Sequence, residues 1–214
     1  FIDALTEALD EAERDPAVRA VVLTGAGRAF SAGLDLVESY DFDGPTLARY
    51  VDAFDGLFAR VASFPWPVVA AVNGHAIAGG CILALAADYR LMTPGPYQIG
   101  VNEVALGIPF PSAAFEVTRR GVPPAAWAEA ILEGRLYRPD EALAAGLIHR
   151  ISTSDLLSES VAVARRLSSG APAVLRATKA ELVARLLAAI DAGREARRAR
   201  ILEAWRAPDA RERI

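Results

Sequence analysis

The sequence predicts an α/β protein whose strands pair in parallel. Three observations carry that prediction. Short, nearly continuous apolar runs at residues 18–24 (VRAVVLT) and 68–72 (VVAAV) read as strands buried on both faces. A longer segment between them repeats apolar residues at helical spacing: Leu47, Tyr50, Val51, Phe54, Leu57, Phe58 and Val61. Strand-like and helix-like segments then alternate along the chain, the order that a parallel sheet with crossover helices requires.

Each element has its own signal. The opening residues to about Asp15 form an amphipathic helix with Leu5, Leu9 and Ala12 on one face, closed by Asp15-Pro16. The 18–24 strand ends at the turn Gly25-Ala26-Gly27. Asp35 can cap a short helix starting near Leu36. Residues 41–45 read as loop, 46–62 as helix and 68–72 as strand, ended by Asn73-Gly74. A short apolar helix over 80–87 precedes a third strand over 89–92. Residues 123–133 and 139–145 are helical, the second stopped by Gly146. A strand over 147–151 leads to helices over 155–168 and 172–207, each charged on one side. The expected organisation is an α/β core over 1–151 and a helical region over 152–214.

Composition narrows the function. The chain has 214 residues, is 53% hydrophobic and carries a net charge of -4, so it can build a large core and lacks the basic surface of a general nucleic-acid binder. Its single cysteine, Cys81, excludes an internal disulfide and fits a reducing compartment, so a cytoplasmic location is expected. The only histidines, His75 and His149, are far apart, which disfavours a zinc site built from His and Cys. No metal is expected. Residues 61–87 contain no Asp, Glu, Lys or Arg, a length that could span a bilayer. Pro65, Pro67, Asn73-Gly74 and Gly79-Gly80 interrupt it, so strand, loop and helix is the better reading, with no membrane span. Phe1 stands inside what already reads as helix, so residues are expected to be missing before it. No basic region followed by an apolar stretch marks a secretory leader.

Four segments are candidates for chemistry. Gly25-Ala26-Gly27 after a strand invites a dinucleotide fingerprint, but Phe30 stands where the third glycine is needed, so this is a turn. In Phe30-Ser31-Ala32-Gly33-Leu34-Asp35-Leu36, small residues let a ligand approach the backbone, though a structural loop would look the same. In Asn73-Gly74-His75-Ala76-Ile77-Ala78-Gly79-Gly80-Cys81, a strand gives way to a glycine-rich loop and a helix start. Unpaired amides at a helix N-terminus can hold an oxyanion; glycines also serve close packing. Glu103, in Gly100-Val101-Asn102-Glu103-Val104-Ala105-Leu106-Gly107, is the sole carboxylate between Asp88 and Glu116. Apolar neighbours would raise its pKa and make it a usable general base, although most glutamates simply sit on the surface.

The last three segments, in this order, resemble the crotonase (enoyl-CoA hydratase/isomerase) superfamily. The match runs from the first helix through Ile151, and VVLTGAGRAFSAGLDL with PVVAAVNGHAIAGGC carries most of it. The resemblance implies a crotonase-like spiral of ββα units with a C-terminal helical trimerisation region. It implies a homotrimer or dimer of trimers, an acyl-CoA substrate, and no cofactor beyond the coenzyme A of that substrate. It also implies that the Leu34 and Gly79 amides form an oxyanion hole and that Glu103 is the catalytic base. By the same likeness Ala32, Gly33, Leu34, Asp35, Leu36, Gly79, Gly80 and Asn102 contact the substrate.

Hydratases of this family carry two glutamates, one directly after Gly-Gly-Cys and one in the Gly-x-x-Glu segment. Here Ile82 takes the first position and Glu103 the second. Hydration must activate water and also protonate carbon, whereas moving a double bond needs one base that returns the proton it took. The resemblance is therefore to Δ3,Δ2-enoyl-CoA isomerases, which IG-x-NE-x-x-LGI supports. Alternatives are a hydratase with Glu116 as a second acid, another crotonase-type reaction, and a non-catalytic acyl-CoA-binding homologue. His75, His149, Trp66, Trp127, Trp205 and Cys81 have structural readings. The arginines of 194–200 read as a solvated helix face or as contacts for coenzyme A phosphates, and Lys179 is undecided between the same roles.

Overall fold

A computed structural model describes residues 1–35, 39 and 42–206. The chain begins with helix α1 (Ile2–Arg14), which turns Leu9 into the core. Strands β1 (Val21–Thr24) and β2 (Ala29–Ser31) then lead to helix α2 (Gly44–Ser63). Next come β3 (Val68–Val72), β4 (His75–Ile77) and α3 (Gly79–Ala86). The third repeat is β5 (Tyr89–Met92), β6 (Ile99–Gly100) and α4 (Ser112–Gly121). Helix α5 (Pro139–Ala144), strand β7 (Arg150–Ile151) and helices α6 (Leu156–Leu167) and α7 (Pro172–Arg206) complete the chain.

Each of the first three repeats gives one strand to each of two sheets before its helix. One sheet has the order β1-β3-β5-β7 and the other β2-β4-β6, with every pairing between these strands parallel. This is the expected α/β spiral of ββα units. Strand β3 lies in the interior of its sheet, paired from Val21↔Val68 on one side and from Val69↔Tyr89 on the other. All five of its residues are buried, which explains its unbroken apolar run.

The structure corrects several expected elements. Strand β1 is shorter than 18–24 and sits at a sheet edge, so only Leu23 of its residues is buried. The stretch 123–133 is a 3-10 turn at Pro124–Ala126 followed by a π-helical turn at Ala128–Leu132. The last strand is confined to Arg150–Ile151 and begins after His149. Helix α2 starts two residues early, because Asp43 accepts the Thr46 N–H at 2.8 Å and Pro45 suits a first turn. The helix proposed near Leu36 falls on residues 36–38, 40 and 41, outside the described residues, as does Ala207 at the expected end of the last helix. The uncharged stretch 61–87 is divided among the end of α2, β3, β4 and the eight-residue α3. No helix among the described residues is long and apolar enough to cross a membrane.

Strands β2, β4 and β6 and helix α4 carried no signal along the chain. The strands are two or three residues long, too short for a period, and exist because they pair with one another. Helix α4 follows Pro111, which has no side chain to cap it. Its cap comes from α2: buried Asp55 accepts the N–H groups of Ala113 and Ala114 at 2.7 and 3.0 Å. Burial raises the Asp55 pKa, and these two N–H groups oppose the rise.

A candidate active site at the junction of the two sheets

Two backbone segments meet where β4 turns into α3. Ala78, between them, has φ 52° and ψ -125°, a conformation that costs a non-glycine residue about 1–3 kcal/mol. It is held there from both sides: its N–H donates to Gly100 O at 2.9 Å, and its own carbonyl accepts from the Ile82 N–H at 3.0 Å. This sharp turn makes Gly79 the first helical residue of α3, with an N–H that has no acceptor within the helix. Gly33, at φ +88°, brings the 31–35 loop against it: a Cβ on Gly33 would lie 2.9 Å from the Gly79 nitrogen. The loop that carries Leu34 and the helix start that carries Gly79 are thus packed backbone to backbone.

The two glycines of this helix start have different reasons to be glycine. A Cβ on Gly79 would sit 2.2 Å from Phe54 Cζ, the far end of a side chain that also lines the cavity. A Cβ on Gly80 would sit 1.9 Å from the Ser31 carbonyl oxygen. Gly80 is buried and does not line the cavity, so its glycine serves strand-helix packing.

Glu103 stands in a turn after β6, closed by Ile108 N–H donating to its carbonyl at 2.9 Å and Leu106 N–H donating to Asn102 O at 3.1 Å. It is 7% exposed. Burial raises its pKa to about 7, against a smaller opposing effect of its own N–H and that of Asn102. Oε2 of Glu103 and Oδ1 of Asn102 are buried and have no hydrogen-bond partner among the described residues. An unsatisfied buried acceptor costs roughly 1–3 kcal/mol, so these two atoms store a demand for a donor.

Ala32, Leu34, Gly79, Asn102 and Glu103 all line one cavity of about 250 Å³. The rest of its wall is apolar and includes Val51, Phe54, Ile77, Ile82, Leu106, Ile108, Pro109, Ala114, Ile201 and Trp205. Glu103 is the one carboxylate in that lining, and Ile82 faces the same space. A buried carboxyl poised near neutrality beside preorganised amides can move a proton at a carbon whose neighbouring oxygen gains charge. A second, wider groove shares Leu34 and Phe54 with the cavity and is also lined by Gly33, Asp35, Arg49 and Tyr50.

Across its whole described length the chain matches one family model, "Enoyl-CoA hydratase/isomerase", over residues 1–212. The chain belongs to the enoyl-CoA hydratase/isomerase family. A protein of Thermus thermophilus provisionally named enoyl-CoA hydratase is 42% identical over 186 residues, 85% of this chain and 72% of its own length. The mitochondrial enoyl-CoA delta isomerase 1 of Mus musculus is 36% identical over 159 residues, 72% of this chain and 55% of that protein, so the chain spans about half of that relative. The crystal structure of human mitochondrial delta3-delta2-enoyl-CoA isomerase superposes with a TM-score of 0.90 at 28% identity, covering 99% of this chain and 83% of that one.

Within this enoyl-CoA hydratase/isomerase family member, the site residues read from the sequence divide into groups. Five share the cavity; Gly33 and Asp35 line the neighbouring groove with Leu34; Gly80 packs behind; Leu36 lies outside the described residues. Glu116 is buried but does not line the cavity. Its Oε2 accepts from Arg119 at 2.8 Å and its Oε1 from Arg197 at 2.8 Å, so it is a helix-to-helix tie rather than a second acid in the cavity. Arg197 and Arg198 reach Glu116 of α4 and Asp52 of α2, whereas Arg194, paired with Asp191 on its own helix, and Arg200 are exposed, as a solvated face requires. Lys179 is buried and donates to Asp88 Oδ2 and, at 2.7 Å, to Trp66 O. His75 lies in β4 and accepts the Gln98 N–H through Nδ1; exposed His149 accepts the Arg90 N–H and stacks on Tyr89. Cys81 is fully buried and burial raises its pKa, which fits a small packing residue. The sequence reading missed Ile201 and Trp205 as cavity residues. Their only signal was apolar spacing of one helical turn, which any packed helix shows.

Proposed function

We propose that this enzyme shifts the double bond of a 3-enoyl-CoA to give trans-2-enoyl-CoA. One observation carries the reading: the described cavity lining holds a single carboxylate, Glu103, with an unpartnered oxygen, and apolar Ile82 stands where a hydratase of this family has its other glutamate. The Glu103 carboxylate removes a proton from C2, and the electrons move toward the thioester oxygen as a dienolate. The Leu34 and Gly79 N–H groups donate to that oxygen as its charge develops, a role worth about 3–4 kcal/mol of barrier per donor in comparable sites. The protonated Glu103 returns its proton to C4, and the double bond now joins C2 and C3. The proton is conserved, so the reaction needs no cofactor beyond the substrate's own coenzyme A. The apolar wall excludes water that would otherwise quench the dienolate or lower the base's pKa.

A hydration reading has support from the Thermus relative's name and from the 34% identity to the carnitinyl-CoA dehydratase of Salmonella paratyphi A. Hydration would need a second proton donor in the cavity, and Glu116 is engaged elsewhere. A product assay decides. With trans-3-hexenoyl-CoA, the 2-enoyl product should form, and Glu103→Gln should remove turnover. Dominant hydration of trans-2-hexenoyl-CoA would establish the hydratase reading instead. Thioester binding with no turnover, and no effect of Glu103→Ala, would mark a binding homologue.

A further inference from the structure

The C-terminal helix supplies two of the cavity's wall residues, and they are the only ones that come from residues 152–206. Ile201 and Trp205 are four residues apart on α7, so they share one stripe of the helix. Ile201 is 3% exposed and packs with Leu47 and Val51 of α2, with Trp205 against the same cluster. The wall they form is fastened. Arg198 makes two hydrogen bonds to Asp52 of α2, at 2.7 and 2.9 Å. Arg197 reaches Glu116 at 2.8 Å and Ser112 Oγ at 3.1 Å on α4, with its guanidinium over the Phe115 ring at 4.6 Å. Ser112 Oγ in turn donates to Ile190 O at 2.6 Å. Helix α7 is therefore tied to two other helices within two turns of the cavity.

We propose that Trp205, backed by Ile201, is the residue that limits the length of the acyl chain. The inference rests on the acyl-CoA reading above and adds to it a specificity determinant. The wall elsewhere is backbone, small and medium side chains, and Phe54 of α2, whose ring is held edge-on against Phe58 at 4.6 Å. Trp205 is the largest side chain in the lining, and its helix is clamped rather than free to retreat. A fixed bulky wall discriminates by volume: one methylene too many in a rigid apolar pocket changes selectivity about 10- to 200-fold.

The test is a ladder of saturated acyl-CoAs, from hexanoyl to dodecanoyl, titrated into the whole protein and into Trp205→Ala by calorimetry. The variant should bind dodecanoyl-CoA at least about tenfold better relative to hexanoyl-CoA than the parent does. The ratio of kcat/KM for the matching 3-enoyl-CoAs should shift the same way. Trp205→Leu, a milder loss of volume, should shift both ratios by less, and it serves alone if the alanine variant does not fold. An unchanged ratio, or equal loss at every length, overturns the proposal. Failure of the parent to bind any acyl-CoA overturns the acyl-CoA reading itself. Binding without isomerisation overturns only the proposed reaction, and the binding ladder still decides the role of Trp205.

Discussion

As the proposed base, Glu103 would set the acid-base behaviour of this site. A carboxyl whose burial raises its pKa to about 7 is a base only above that value. The kcat/KM for a 3-enoyl-CoA should therefore rise with pH, reach half its plateau near pH 7 and stay flat above, as measured by a pH-rate profile. Glu116→Gln should leave this profile in place, because Glu116 lies outside the cavity in ion pairs. The neighbouring glycines separate function from packing. Gly79→Ala meets the far end of the Phe54 side chain, with the nearest backbone, Gly33 Cα, at 3.3 Å, so the protein should fold once that side chain shifts, while kcat for the proposed reaction falls by about a hundredfold as the amide moves. Gly80→Ala meets the Ser31 carbonyl, backbone that cannot yield, so it should lower the thermal midpoint sharply or abolish soluble expression. Equal unfolding by both substitutions would remove the distinction.

Helix α4 shows how an element can depend on a residue far away in the chain. Asp55 lies on α2 and satisfies two first-turn amides of α4. Asp55→Ala should destabilise the protein by about 1–3 kcal/mol, read from the shift in denaturant midpoint at unchanged slope. The loss should exceed that from an exposed cap such as Asp155, which accepts the Ser158 N–H at the start of α6. Buried amides have no water to replace the lost acceptor, whereas exposed ones do. A smaller loss at Asp55 than at Asp155 would mean that α4 is held by packing alone.

The parallel spiral places the ends of β2, β4 and β6 beside the helix starts, so that the strained turn at Ala78, the loop at Gly33 and the turn at Glu103 converge. Holding Glu103 in that setting costs the whole molecule stability. Its pKa is 4.5 when solvated and about 7 when folded, so the folded state binds a proton between those values. The stability this contributes is complete below pH 4.5 and lost as pH rises through 7, up to about 3 kcal/mol. Glu103→Gln should therefore be more stable than the parent at pH 8, with the gain vanishing toward pH 4.5, in urea titrations at both values. No difference at pH 8 would mean that the charged carboxylate is well solvated. The trimer or dimer of trimers expected from the family resemblance is a separate property of the whole molecule. Light scattering on a sizing column should return a mass three or six times that of one chain, and a monomer mass would remove it.

Much of this was legible along the chain. The apolar run of β3 declared a strand buried on both faces, because a central parallel strand needs that composition at every residue. Helical spacing declared α2. The small-residue segments 30–36 and 73–81 and the lone carboxylate Glu103 stood out along the chain, but each also had an ordinary structural reading, and only the family resemblance gave them candidate roles. Ile82 in place of a second acid was legible from residue identity once the family resemblance fixed which position to compare. Tertiary structure decided the rest. Strands of two or three residues have no period and exist through their partners; α4 owes its start to a carboxylate from another helix. Glu116 and the arginines of α7 could not be assigned until the chain showed which charges neutralise one another. The sequence by itself determined the kind of fold and, through its likeness to a family, which groups are candidates for the reaction, because local spacing encodes the elements and residue identity carries the likeness. Only the tertiary structure decided that α7 closes the cavity with Ile201 and Trp205, because a wall is a relation between segments that only packing brings together.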